Sequence, residues 1–147
     1  MLQIINNLDA RIAEVLSQDP VRPHIPHELR IGKNRETYIL TIDNDIRAVC
    51  CTSYISKVPA VETDLFDECF DNTIAVFYTI WSYSSGSGRD LLLKLLSYIR
   101  DQKSYVKRFV TLSPKTEMAK RFHLGNGAVF LRENVDTINY EYHANTI

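Results

Sequence analysis

The chain has three cysteines in 147 residues, a net charge of -1, five glycines and no long apolar run. Each scarcity removes a class of explanation. Cys50 and Cys51 are neighbours in a predicted strand and point to opposite faces, and Cys69 stands alone, so neither a disulfide framework nor a zinc spacing is present. All three read as reduced core residues. A charge this close to zero supplies no field for nucleic acid or an anionic membrane. No apolar stretch approaches the roughly 20 residues of a membrane helix, and no basic segment leads into a signal-like core, so the reading is cytoplasmic with no membrane partner. The glycines do not spell a dinucleotide fingerprint, which needs a third glycine, and the P-loop lysine is missing. What remains, at 45% hydrophobic and 24% charged, is one globular domain of ordinary composition spanning residues 1–147.

One stretch organises it. Residues 74–100, IAVFYTIWSYSSGSGRDLLLKLLSYIR, read as a buried strand, a glycine-punctuated turn and an amphipathic helix in succession. The run from Ile74 to Trp81 is continuously apolar or aromatic, as expected of a strand covered on both faces. From Gly88 the period changes, and Leu92, Leu95, Leu96 and Ile99 share one helical face. Between them Ser84, Ser85, Gly86, Ser87 and Gly88 let the backbone turn and bring its N–H groups close to a ligand. A helix start carries unpaired N–H groups and partial positive charge, so an anion fits there, with Arg89 as an added charge. A plain βα connector uses the same residues.

Upstream, a first strand lies within residues 1–6 and a helix within 8–18, with Asp9 near its start and Ile12, Val15 and Leu16 inward. Three prolines in seven residues (Pro20, Pro23, Pro26) make the next segment an irregular loop crossing a sheet edge, with His24 and His27 as solvated loop residues rather than metal ligands. Residues 37–42 and 46–55 form a hairpin turning at Asn44-Asp45. The acidic segment 61–71 is expected to be a short surface helix; its alternative reading is an acidic rim for a cationic amine or a general base. Downstream come a strand at 108–112, a helix begun near Ser113-Pro114 and stopped at Gly125 to Gly127, and strands at 128–132 and 137–143. This order predicts an α/β (α+β) single sheet with helices on both faces.

The motif YSSGSG resembles the pyrophosphate-binding loop of the GNAT acyltransferase superfamily, with Gly86 and Gly88 on the family's glycine positions and Tyr83 where Gln or Arg is usual. The order of elements is similar to that superfamily along nearly the whole chain, the proline-rich loop replacing its second helix. The family's later helix pattern falls on Thr116, Ala119, His123 and Gly127-Ala128, with His123 where a tyrosine often protonates the CoA thiolate. Four blocks, AVFYTI, TLSP, FHLGNGA and NYEY, also resemble the catalytic domain of malonyl-CoA decarboxylases, itself of GNAT fold. Set against that family, the chain is expected to stand without its helical domain and long insertion, and it has Glu141 where Arg is usual.

These resemblances imply a GNAT-like mixed, mostly antiparallel sheet and acetyl-CoA or another acyl-CoA as co-substrate, with no metal. Ser113 and His123 fall on the decarboxylase family's catalytic serine and histidine. The cofactor set implied is Ile80, Trp81, Ser82, Tyr83, Ser84, Ser85, Gly86, Ser87, Gly88, Arg89 and Thr116, with pantetheine beside Ile80 to Tyr83. Ser113 before Pro114 also reads as a helix N-cap, and His123 as a group titrating near neutrality. An N-acyltransferase with an unidentified acceptor leads; malonyl-type decarboxylation is the alternative, and a binding module without catalysis the third reading.

Overall fold

The computed structural model describes residues 1–67 and 71–143, so Cys69 and part of the acidic segment lie outside it. One sheet contains β1 (Leu2–Ile4), β2 (Arg35–Ile42), β3 (Asp45–Ile55), β4 (Ile74–Ser82), β5 (Arg108–Thr111), β6 (Ser113–Pro114), β7 (Val129–Glu133) and β8 (Thr137–Tyr142). Helices α1 (Ala10–Leu16), α2 (Ser87–Gln102) and α3 (Glu117–Gly125) flank it. The strands run β1-β2-β3-β4-β5-β8-β6, with β7 on β8. Among the described residues β4 and β5 pair in parallel and the other strand pairs are antiparallel. The expected mixed, mostly antiparallel sheet is therefore present.

Each face has its own core. Leu91, Leu92, Leu95, Leu96 and Ile99 of α2 are fully buried against Ala75, Phe77, Tyr140 and Tyr142. Removing such side chains from water contributes about 1.5–3 kcal/mol each before the entropy of ordering them. Ile12 and Leu16 of α1, with Ile25, cover Val49, Cys51, Val76 and Tyr78 on the other face. Cys50 and Cys51 divide between these cores as their adjacency in a strand requires. Asp9 caps α1, its Oδ1 accepting the Ile12 N–H at 2.9 Å.

Three local expectations are corrected and a fourth is refined. The hairpin turns at Asp43-Asn44, whose φ of 52° and 68° are those of a tight I′ connection, one residue earlier than expected. The proline-rich segment does not cross an edge; it packs on the α1 face, burying Arg22, Ile25 and Arg30 and making a 3-10 turn at His27–Arg30. The expected short helix of the acidic segment is, among the described residues, a 3-10 helix over Glu62–Phe66 that buries Leu65, with Asp64 Oδ2 accepting the N–H groups of Ala60 and Val61 just after Pro59. Ser113 and Pro114 do not cap α3, because they pair with β8 at Ile138 and Thr137; the cap is Thr116, whose Oγ1 accepts the Ala119 N–H at 3.2 Å.

Candidate active site

β4 and β5 pair only from Ile74–Arg108 to Phe77–Thr111, and a Leu112 N–H to Phe77 O bond of 3.4 Å is the last between them. Beyond it β4 runs on to Ser82, while the other branch turns through Ser113 to β8. A cleft of about 540 Å³ opens in the fork. A β-bulge marks the same place on the β3 side, where the register jumps from Cys51–Thr79 to Thr52–Phe77. It puts two successive side chains on the α1 face: Tyr78 enters that core and Thr79 Oγ1 donates to Asp19 at 2.9 Å.

α3 brings His123 into the cleft wall, 5% exposed and wrapped in aromatics. Tyr140 stacks on the imidazole at 5.4 Å, and Phe122 and Tyr142 meet it edge-on. Tyr142 Oη lies 2.7 Å from Nδ1. The phenol is the donor, since the opposite assignment would leave its proton buried without an acceptor among the described residues. That tautomer puts the imidazole proton on Nε2, the ring nitrogen left for a ligand. Burial pulls the His123 pKa down to about 4, so His123 is not the near-neutral titrating group expected from sequence. It is a neutral hydrogen-bond donor.

Ser113, 3% exposed, shares the cleft wall, its Oγ 2.8 Å from Thr111 Oγ1. Thr111 Oγ1 also accepts the Tyr140 N–H at 3.0 Å, so its own proton is free to go to Ser113 and leave the Ser113 proton for the cleft. Asn139 holds this corner, donating to Thr111 O at 2.7 Å and Pro59 O at 2.9 Å. Its place in the NYEY block is thus structural, while Tyr142 of the same block reaches the site.

The glycine loop closes the other end. Gly86 caps α2 with φ 81°, a conformation that suits glycine, and Ser87 N–H is used by Ser84 O. Gly88 and Arg89 N–H groups have no backbone acceptor among the described residues and head the helix. Gly88 has a second reason to be glycine: a Cβ there would stand 3.3 Å from Phe122 Cε1 of α3. Arg89 keeps its charge, and its Nη1 donates to Asn126 Oδ1 at 2.7 Å at the end of α3.

Of the sequence-derived site residues, Ile80, Trp81, Ser82, Gly88, Ser113, Thr116 and His123 line one cleft. Tyr83, Ser84, Ser85, Gly86, Ser87 and Arg89 lie beyond its lining. Tyr83 is tied sideways, accepting from Trp81 Nε1 at 3.0 Å and donating to Gln18 Oε1. No carboxylate lines the cleft among the described residues, and Glu62 of the acidic segment is committed to Arg22 at 3.1 Å and His24 at 2.6 Å. No group of three ligating side chains suited to a metal, and no helix long and apolar enough to cross a membrane, occurs among the described residues. Sequence reading missed Arg22, Thr111 and Tyr142; Thr111 carried a signal in its place at the head of TLSP and Tyr142 in its place in NYEY, while Arg22 carried none.

No protein-family model matches the chain, and no curated protein matches it in sequence. Solved structures do. Malonyl-CoA decarboxylase from Agrobacterium vitis superposes with a TM-score of 0.79, at 19% identity over 97% of this chain and 60% of that one. A GNAT family acetyltransferase from Elizabethkingia anophelis with acetyl-CoA bound gives 0.69, at 11% identity over 97% of both chains. The fold is the GNAT fold. N-acetyltransferase PseH from Campylobacter jejuni shares it, with a TM-score of 0.66 at 12% identity over 97% of each chain. At such identities the likeness concerns the GNAT fold alone. This chain spans 60%, 61% and 56% of the lengths of three decarboxylase chains of that fold.

Proposed function

We propose that the cleft receives the pantetheine arm and thioester of an acyl-CoA, and that the chain is an enzyme acting at that thioester. The observation that carries this reading is the pairing of a glycine-headed helix at one end of the cleft with a neutral, proton-bearing His123 in its wall. The free N–H groups of Gly88 and Arg89 suit a pyrophosphate, and the strand end at Ile80 to Ser82 suits the amides of pantetheine. A solved GNAT-fold neighbour holds acetyl-CoA, which supports this class of substrate.

The wall favours decarboxylation of a malonyl-type thioester over transfer to an amine, reversing the order drawn from sequence. Transfer to a protonated amine needs a base, and His123 near pKa 4 is a poor one. Decarboxylation needs none: the bond between the carboxylate carbon and the α-carbon breaks, its electron pair passes into the enolate, and carbon dioxide leaves. One proton from solvent then returns to the α-carbon. His123 Nε2–H and the Ser113 hydroxyl are donors suited to the developing enolate oxygen and the carboxylate. The acyltransferase reading keeps one support, the acetyltransferases among the structural neighbours.

Incubation with malonyl-CoA in the absence of amine tests this. Accumulating acetyl-CoA, lost in His123→Ala, supports decarboxylation. Intact malonyl-CoA, with acetyl groups moving from acetyl-CoA to an added amine, supports transfer.

A further inference from the structure

A buried side chain at the head of the cleft lies outside its lining. Arg22, only 5% exposed, donates Nη1 to the Tyr78 carbonyl and Nη2 to the Leu112 carbonyl at 2.8 Å, while Nε stands 3.1 Å from Glu62 Oε1. Tyr78 and Leu112 are the first residues past the last paired couple, Phe77 and Thr111. A planar guanidinium thus supplies donors to two diverging strands where the ladder between them stops.

Its mount is equally specific. Asp19 Oδ1 accepts the N–H groups of Val21 and Arg22 and the Thr79 hydroxyl, and Oδ2 accepts Arg30 Nη1 at 2.8 Å. Arg30 Nη2 in turn donates to Arg22 O at 2.7 Å. Pro20 and Val21, between Asp19 and Arg22, are cleft wall. The ionic cluster therefore links the proline-rich segment to both arms of the fork.

We infer that Arg22 is a positioning residue that holds β4 and β5 apart, so that the segment 19–30 sets the width of the cleft. This deepens the proposed function, since the cleft in question is the one read as the thioester site. A guanidinium that merely stabilised the two strands would loosen them when removed. One that props them apart lets them draw together.

The test uses the full chain with Arg22→Met, Arg22→Lys and Glu62→Ala. Amide exchange at residues 79–82 and 112–113 is followed without ligand, and CoA affinity is measured by calorimetry. Arg22→Met should slow exchange at the fork at least tenfold relative to the rest of the sheet and weaken CoA at least tenfold. Arg22→Lys, which keeps a charge and donors for both carbonyls, should fall between it and the parent. Should Arg22→Met not fold, Glu62→Ala, which removes the carboxylate that anchors Nε and so loosens the guanidinium between the strands, should shift both readouts the same way by about threefold. Unchanged or faster exchange at the fork in a folded Arg22→Met, or in Glu62→Ala if the former does not fold, overturns the inference. If the parent binds no CoA, the thioester reading fails, and the exchange measurement alone still decides the role of Arg22.

Discussion

Tyr142 Oη and His123 Nδ1 stand 2.7 Å apart inside the α2-side core, and this contact decides which nitrogen of the imidazole faces the cleft. Tyr142→Phe removes the donor without changing the ring. A single hydrogen bond of this kind is worth about 1 kcal/mol, so turnover should fall roughly fivefold to tenfold with KM little changed. Equal turnover in Tyr142→Phe would show that the tautomer is fixed by something else.

His123 also fixes a pH window. Its folded pKa of about 4 lies below the ordinary 6.5, so between these values the unfolded chain binds a proton that the folded chain does not. Its contribution to stability is complete above pH 6.5 and declines as pH falls toward 4, by about 3 kcal/mol over the whole interval. His123→Gln should flatten stability across that window in chemical denaturation at several pH values. The reaction rate, by contrast, should show no limb near pH 6.5 from this histidine.

Asp19 and Arg30 form an ion pair with no exposed side-chain surface. Burial alone would raise the Asp19 pKa, but the N–H groups of Arg22 and Val21, the Arg30 guanidinium and the Thr79 hydroxyl outweigh it and hold the pKa below 3.8. That contribution is present above pH 3.8 and is lost as pH falls below it through the folded value. Asp19→Asn leaves Arg30 buried without its counter-charge and should cost about 3–5 kcal/mol at neutral pH. A loss under 1 kcal/mol by denaturant titration would contradict the geometry.

Gly86 and Gly88 should respond differently. Gly86→Ala meets no neighbour within 4 Å but is strained at φ 81°, which costs about 1–2 kcal/mol. Gly88→Val drives into Phe122, and the smaller partner in Gly88→Val/Phe122→Ala should restore part of the lost stability. Additive losses in the double variant would mean that the two helices do not meet there.

Much of the fold was legible because its period was clean. The α2 face of Leu92, Leu95, Leu96 and Ile99 is fully buried as read, and β4 is covered on both sides. The site was half legible. Ser113, His123 and Gly88 converge because the motifs that carry them sit on elements whose order fixes the fork. Arg22 was hidden: proline spacing denies a helix, but nothing local reveals that a loop arginine reaches two carbonyls 56 and 90 residues away. The state of His123 was misread for a related reason, since its titration depends on burial among Phe122, Tyr140 and Tyr142, two of them supplied by a distant strand.

Calorimetric titration of the protein with CoA tests the central claim, that the fork is a CoA-thioester cleft. Saturable binding at one site per chain is predicted, weakened at least tenfold by Gly88→Val and accompanied by a rise in melting temperature, since ligand at about 100 times its Kd adds roughly 2.7 kcal/mol. No heat of binding and an unmoved melting temperature at millimolar CoA would contradict it.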